Sequence, residues 1–282
     1  MPAGPSAPID PRAALDAVGL LDEDEIDIAE TALQFARIDR PDADVAAART
    51  ALSAIAAGAA ALGRATLPDD LPARGAALAR LLADRYGFRG NVEDYDNPAN
   101  ANLIQVIERR QGLPVALGIL WLHAARAAGW PAHGVDFPAH FLIALEGAGG
   151  QLVVDAFDGG TCLDAPALRA LIKRIAGPDA ELRPGLVRPA GTRAVLLRLQ
   201  NNIRTRRLAA GDLTGGLDAT RDMLRIAPDQ ASLWREAGTL HQRLDQVAAA
   251  LRCFERFLTL VPTGDAAIRL RREIADLRAR LH

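Results

Sequence analysis

The side chains able to do chemistry in this chain are few, and two of them are spaced to meet. His140 opens a strand pattern after Pro138, and Asp155 ends the next one. Between them, Glu146-Gly147-Ala148-Gly149-Gly150-Gln151 reads as a hairpin loop. A loop centred between Gly147 and Ala148 pairs 140 directly with 155, both side chains on one face. An imidazole oriented by a carboxylate can serve as general base for a bound water, the machinery of a hydrolase or transferase that works without cysteine. Each residue also has a plainer use. His140 can be a satisfied polar side chain at a strand start, and Asp155, just before Phe157-Asp158-Gly159-Gly160, can be a turn acceptor. A one-residue slip in register separates the two onto opposite faces.

The thiols offer less. Cys162 lies just before a helix that starts near Asp164, a place where a thiol pKa can fall, although a loop position beside Thr161 is also where a cysteine can be incidental. Cys253, between Leu251 and Phe254, reads as a small core residue. Two cysteines this far apart make neither a disulfide framework nor a metal site, and they fit a reducing, cytoplasmic compartment. His123 is mid-helix and His133 strand-like, neither spaced with a Cys, Asp or Glu as metal ligands are, so no metal and no cofactor are expected. A formal charge of -2 gives no electrostatic reason for a nucleic-acid or anionic-membrane partner. Residues 1–10 carry no basic and apolar signal pattern and read as a disordered leader.

The elements that must position these groups follow from hydrophobic period. From 11 to 86 the pattern is helical: Ile26, Ala29, Leu33 and Ala36, then Val45, Ala48, Leu52 and Ile55, then Leu78, Leu81 and Leu82. Pro41-Asp42 and Pro68-Asp69-Asp70 separate these helices. Gly87 and Gly90 mark a break, Asp94–Asn102 is a polar loop, and a short helix over Leu103–Arg110 leads to Gly112. The helix from Pro114 to about Ala128 is apolar nearly all round and should be packed on most sides. Pro114 suits its first turn, Gly129 its C-terminal cap, and Trp130-Pro131 stops it. The weakly charged stretch Gly112–Pro131 is long enough to consider for a bilayer, but His123 and Arg126 within it favour a buried helix. Then the period changes: Ala132–Val135, Phe141–Leu145 and Leu152–Ala156 are short apolar runs, and a buried helix followed by antiparallel strands predicts an α+β domain. Asp164 starts a helix running to about Ile175, and the Gly/Pro-rich segment 178–190 reads as a linker. The expected parts are thus a leader (1–10), a helical N-terminal region (11–86), an α+β core (87–177), the linker, and a last part (191–282).

That last part repeats. Pro228 and Pro262 are 34 residues apart, the period of a tetratricopeptide repeat. In the second unit Trp234, Gly238, His241, Ala250, Phe254 and Pro262 fall at that repeat's characteristic positions, whereas the first keeps mainly Gly216 and Pro228. Ala266–Leu281 is expected to form a capping helix.

The run from Gly112 to Gly129, with the His140 and Asp155 strands after it, resembles the core of the transglutaminase-like fold. In that fold a Cys at a helix start, a His and an Asp form a cysteine-protease-type triad, with the helix dipole and the imidazole stabilising the thiolate. The resemblance implies a Gly-x-Cys helix start and an Arg-x-x-Gly end. Counting back twelve residues from Arg126 puts the thiol slot at Pro114, two after Gly112. Proline cannot be ionised, and no Ser or Thr lies in that first turn.

Asp96-Asn97-Pro98-Ala99-Asn100, Val106-Ile107-Glu108-Arg109-Arg110, Gly112-Leu113-Pro114, Pro138-Ala139-His140-Phe141-Leu142 and Asp155-Ala156-Phe157-Asp158-Gly159-Gly160 are similar to signatures of the bacterial SirB family. That closer resemblance implies a helical start, a transglutaminase-like (papain-like) α+β core with antiparallel strands, and all-α tetratricopeptide-like helices at the C-terminus. It also implies Pro at the thiol slot and no firmly assigned enzymatic role. Two departures are Ala101, where Ser is common, and Ala139, where Gly is common; the second matters if the backbone there needs a positive φ. The implied protein is non-catalytic and cytoplasmic. It would bind a protein or peptide partner through a vestigial cleft lined by Asn100, Pro114, His140 and Asp155, and through the repeat surface.

Overall fold

The computed structural model describes residues 10–65, 70–183 and 185–279. Residues 1–9 of the expected leader (1–10), the separators Pro68 and Asp69, one linker residue (Pro184) and residues 280–281 of the expected capping helix lie outside the described residues. The chain forms two compact units, one of Asp22–Leu199 and one of Met1–Leu21 with Gln200–His282. This divides the expected N-terminal helical region. Helix α1 (Pro11–Val18) belongs with the C-terminal helices, to which Arg12 is tied by a 2.9 Å ion pair with Asp222.

The larger unit begins with α2 (Ile28–Asp39), α3 (Val45–Ala65) and α4 (Leu71–Ala79), the last running into a π-helical turn over Arg80–Arg85. Asp27 caps α2 by accepting from the N–H groups of Ala29 and Glu30, both at 3.0 Å, meeting two donors that a helix start leaves without partners. Helix α3 buries Ala48, Leu52 and Ile55 of the expected stripe, together with Ala59 and with Val45 only half-buried, and packs on α6 (Pro114–Ala127). By length and composition alone α3 also meets the requirement for crossing a bilayer. The stretch weighed for that role in the sequence instead holds a helix of 14 residues, α6.

A short parallel pair, β1 (Arg89–Gly90) and β2 (Gln111–Gly112), brackets a 3₁₀ turn at Pro98–Ala101 and helix α5 (Leu103–Arg109). Helix α6 (Pro114–Ala127) is buried on nearly every side, as its apolar sequence requires. It ends in a Schellman motif: Trp130 N–H donates to Ala125 O at 2.9 Å, Gly129 N–H donates to Arg126 O at 3.0 Å, and Gly129 has φ +70°.

The sheet is antiparallel, in the order β6-β5-β4-β3-β7: β3 (Ala132–Phe137), β4 (His140–Gly147), β5 (Gly150–Asp155), β6 (Thr161–Leu163) and β7 (Pro189–Ala190). Alternation divides its faces. Phe141 meets α6, where a Cβ on Gly118 would lie 2.4 Å from its ring. Val135, Phe137, Leu142, Ala144 and Val153 form the opposite face and bury against Leu168, Leu171 and Ile172 of α7 (Ala165–Ala176). Asp164 caps α7, accepting from Ala167 N–H at 2.9 Å. The segment expected to be a linker is packed, with Ala180, Leu182, Leu186 and Val187 against the α7 face and β7 on the sheet edge.

Residues 192–279 form five helices joined by short turns: α8 (Thr192–Ala209), inside which the unit boundary falls, then α9 (Leu213–Ile226), α10 (Ala231–Arg243), α11 (Val247–Leu260) and α12 (Asp265–Ala279). The repeat positions act as spacing rules. A Cβ on Gly238 would sit 2.3 Å from the Phe254 ring, so glycine lets α10 and α11 approach, and Trp234 Nε1–H donates to Pro228 O at 2.7 Å.

Candidate functional site

Three local features bring His140 and Asp155 together. First, β3 and β4 join through Pro138 and Ala139 alone, with Phe137 paired to His140. Proline at the second turn position and a positive φ at the third (Ala139, φ +50°) is the pattern of a type II turn, whose third position favours glycine. Arg198 braces this turn: its guanidinium donates to His140 O at 2.6 Å and to Phe137 O at 3.3 Å, and pairs with Asp136. Burial pushes the Arg198 pKa down from its ordinary value, opposed by the charge of Tyr95.

Second, β4 and β5 pair Gly147 with Gly150 and Ile143 with Val154, so the loop is the two residues Ala148-Gly149 and not the six expected. Continued one step, this register sets Asp155 across from Leu142 and leaves His140 two residues along the same face. The pair is diagonal and not directly opposed, because moving the loop centre by one whole residue changes the register by two and so preserves the face.

Third, Asp155 is held at both oxygens. Oδ1 accepts from Phe157 N–H at 3.0 Å, and Oδ2 accepts from His140 Nε2–H at 2.8 Å. One oxygen caps the turn and the other accepts from the imidazole. An ionised carboxylate only accepts, so Nε2 carries a hydrogen, and in the neutral ring Nδ1 is the nitrogen with the lone pair. Both side chains are largely buried, 13% exposed for His140 and 8% for Asp155.

The DAFDGG segment closes the site. Phe157 stands edge-on to the imidazole, 6.0 Å between centroids at 84°, and Tyr95 stands edge-on to Phe157 at 5.8 Å. Its ring fits because residue 90 is glycine: a Cβ there would lie 2.6 Å from it. Gly160 has φ +95° and would clash with Trp121 of α6 at 2.5 Å if it carried a Cβ. Beside the pair opens a cavity of about 570 Å³, lined among others by Tyr95 and Phe157 and by Leu171, Arg174 and Ile175 of α7.

Asn100 and Pro114 lie elsewhere. Pro114 is buried at the first position of α6, and α6 contributes no residue to this cavity. Asn100 is fully buried. Its Oδ1 accepts from Asn91 Nδ2 at 3.1 Å and from the Arg109 guanidinium at 3.2 Å, its Nδ2 donates to Asp94 O at 2.7 Å, and its backbone oxygen accepts from Leu113 N–H at 2.9 Å. It organises the loop that carries Tyr95 and anchors the start of α6. The four-residue cleft is therefore two residues at a cavity and two in the packed interior. Partial burial pushes the Cys162 thiol up, the opposite of what an activated thiol needs. Tyr95, Phe157 and Arg198 did not emerge from the sequence as site residues.

The profile described as the transglutaminase-like superfamily matches residues 46–201, and a tetratricopeptide-repeat profile matches residues 203–278. The chain belongs to the transglutaminase-like superfamily. Within it, the chain is 30% identical to a UPF0162 protein of Xylella fastidiosa (strain 9a5c) over 93% of its own length and 94% of that protein's. A second UPF0162 protein, from X. fastidiosa strain Temecula1, is 32% identical over 73% of this chain and 74% of its own length. Mouse F-box only protein 21 shares 31% identity over 56% of this chain, which is 26% of that protein. As a transglutaminase-like protein with tetratricopeptide repeats, this molecule sets His140 against Asp155 and starts α6 with Pro114.

Proposed function

We propose that this is a non-catalytic, cytoplasmic transglutaminase-like protein of the SirB type that binds a protein or peptide partner. It would bind through the cavity beside His140 and Asp155 and through the repeat surface. The observation that carries this reading is a cavity with aromatic and aliphatic walls and a buried, oriented imidazole, in a chain with no thiol at its rim. Tyr95, Phe157, Leu171 and Ile175 supply apolar area, while His140 Nδ1 and Arg174 supply an acceptor and a donor, the mix that recognises an extended segment.

The test selects displayed peptides on the full chain and then measures them against Ala170→Trp, an exposed α7 position that fills the cavity without touching the core. Affinity should fall about tenfold or more, about 1.4 kcal/mol. Peptides that bind this variant and a repeat-surface variant as well as the parent chain overturn the reading.

The hydrogen bond from His140 Nε2 to Asp155 favours one second reading, in which the neutral ring acts as base through Nδ1. His140 would take a proton from water as the oxygen bonds to a carbonyl carbon, then return it to the leaving amine or alcohol as that bond breaks. Mass spectrometry of the same peptides decides it: hydrolysed product from the parent chain and none from His140→Ala favours the hydrolase, and intact peptides from both remove it.

A further inference from the structure

The repeat unit holds a second cavity, of about 600 Å³, whose lining includes four arginines. Arg221 and Arg225 sit one turn apart on α9, and Arg252 and Arg256 sit one turn apart on α11. Like charges at that spacing oppose the helix, by about 0.2–0.5 kcal/mol a pair. Between the two rows, α10 contributes Trp234 and His241. Asp16 is the one carboxylate in the lining among the described residues.

Three of the four guanidiniums are held in place. Arg225 pairs with Asp16 at 2.7 Å and with Asp222 at 3.3 Å, Arg256 with Asp229 at 3.0 Å, and Arg221 with Asp218 at 3.5 Å. Asp222, Asp229 and Asp218 do not line the cavity. Arg221 also donates to His241 Nε2 at 3.3 Å, while His241 Nδ1–H donates to Gln246 Oε1 at 2.6 Å. This histidine is 3% exposed and both its nitrogens are engaged, so it serves as an acceptor that aims Arg221. Arg252 is exposed and makes no hydrogen bond or ion pair among the described residues. Trp234 is fixed by its bond to Pro228 O.

We infer that this cavity binds an acidic peptide segment of a partner protein, with carboxylates on the two arginine rows and an apolar side chain against Trp234. Two guanidinium rows on either side of an aromatic floor match side-chain carboxylates on either side of an apolar residue, and guanidinium forks take carboxylates bidentately. Pre-placed side chains lower the ordering cost of binding. The inference rests on the binding reading above for the repeat unit and names the chemistry of what that unit takes.

The experiment measures fluorescence anisotropy of the full chain with a labelled peptide of Asp, Glu and Leu, beside its Asn/Gln analogue. The acidic peptide should bind, the amide analogue should bind about tenfold or more weaker, and raising salt well above about 0.15 M should weaken the acidic complex. The double charge reversal Arg252→Glu, Arg256→Glu should remove at least about tenfold of the affinity, with helicity by circular dichroism unchanged. Equal binding of the amide analogue, or of the doubly reversed chain, overturns the inference. So does saturation by inorganic phosphate or an oligonucleotide where the peptide gives none, which would make this a small-anion or polyanion site. Peptides that compete at the His140 cavity while ignoring Arg252 and Arg256 sink this inference and leave the binding reading standing.

Discussion

His140 and His241 are both shielded from water, yet their neighbours give them opposite work. His140 faces a carboxylate, which takes the Nε2 hydrogen, so that in the neutral ring Nδ1 holds the lone pair at a residue lining a cavity. His241 faces a guanidinium, which has no lone pair to offer, so Nε2 must accept and Nδ1–H must donate to Gln246. The first imidazole retains a nitrogen that could meet a ligand; the second has none. Burial alone therefore does not mark a histidine as functional. The charge beside it decides whether a lone pair is left over.

Breaking the carboxylate half of that contrast should have the largest effect. Asp155→Ala strands the His140 Nε2–H and the Phe157 N–H in a buried setting, a loss of about 2–3 kcal/mol in denaturant unfolding. A loss under about 0.5 kcal/mol would mean that water replaces both bonds. Asp155→Asn is sharper. It keeps an acceptor for Phe157 but turns a donor toward the imidazole, so the proton should move to Nδ1, visible in the nitrogen shifts of His140.

The same contrast explains what was legible. The stripe of α3, the buried α6 with its Gly129 cap, and the shared face of His140 and Asp155 follow from period and turn chemistry. The sequence pattern puts the loop centre one residue early because Gly147 and Gly150, which pair as strand residues, carry no side chain to distinguish strand from loop. Asn100 read as part of an open polar loop, and no local pattern shows that its amide is satisfied by Asn91, Asp94 and Arg109 in the interior. Arg198 lies 58 residues from the backbone oxygen that it braces, and Arg12 lies 210 from Asp222. Those links are made by the folded chain and leave no local periodicity.

Breaking the guanidinium half should cost less. His241→Ala removes one acceptor from Arg221 and one donor from Gln246, about 1–2 kcal/mol. Its pH signature is more telling. Burial holds the His241 pKa below its ordinary value, helped by Arg221 and Arg252 and opposed by the hydrogen bond to Gln246. The unfolded chain then binds this proton first, so stability should fall as pH drops below about 6.5, with the full contribution present above it. In His241→Gln that part of the slope should vanish. A slope unchanged between the two proteins would place the proton uptake on other groups.

The smallest effect is at the turn that aims His140. Ala139 occupies φ +50° with a Cβ that disfavours the left-handed region, between a proline and the histidine that the site needs. Glycine adopts that conformation without the steric penalty but brings a more disordered unfolded chain, so the two contributions partly cancel. Ala139→Gly should therefore stabilise by only about 0.5–1 kcal/mol. Because Arg198 already braces the carbonyls of Phe137 and His140, the gain should grow when that brace is removed in Arg198→Met. If the substitution destabilises instead, the bracing contacts already relieve the strain at 139, and the alanine is a neutral replacement.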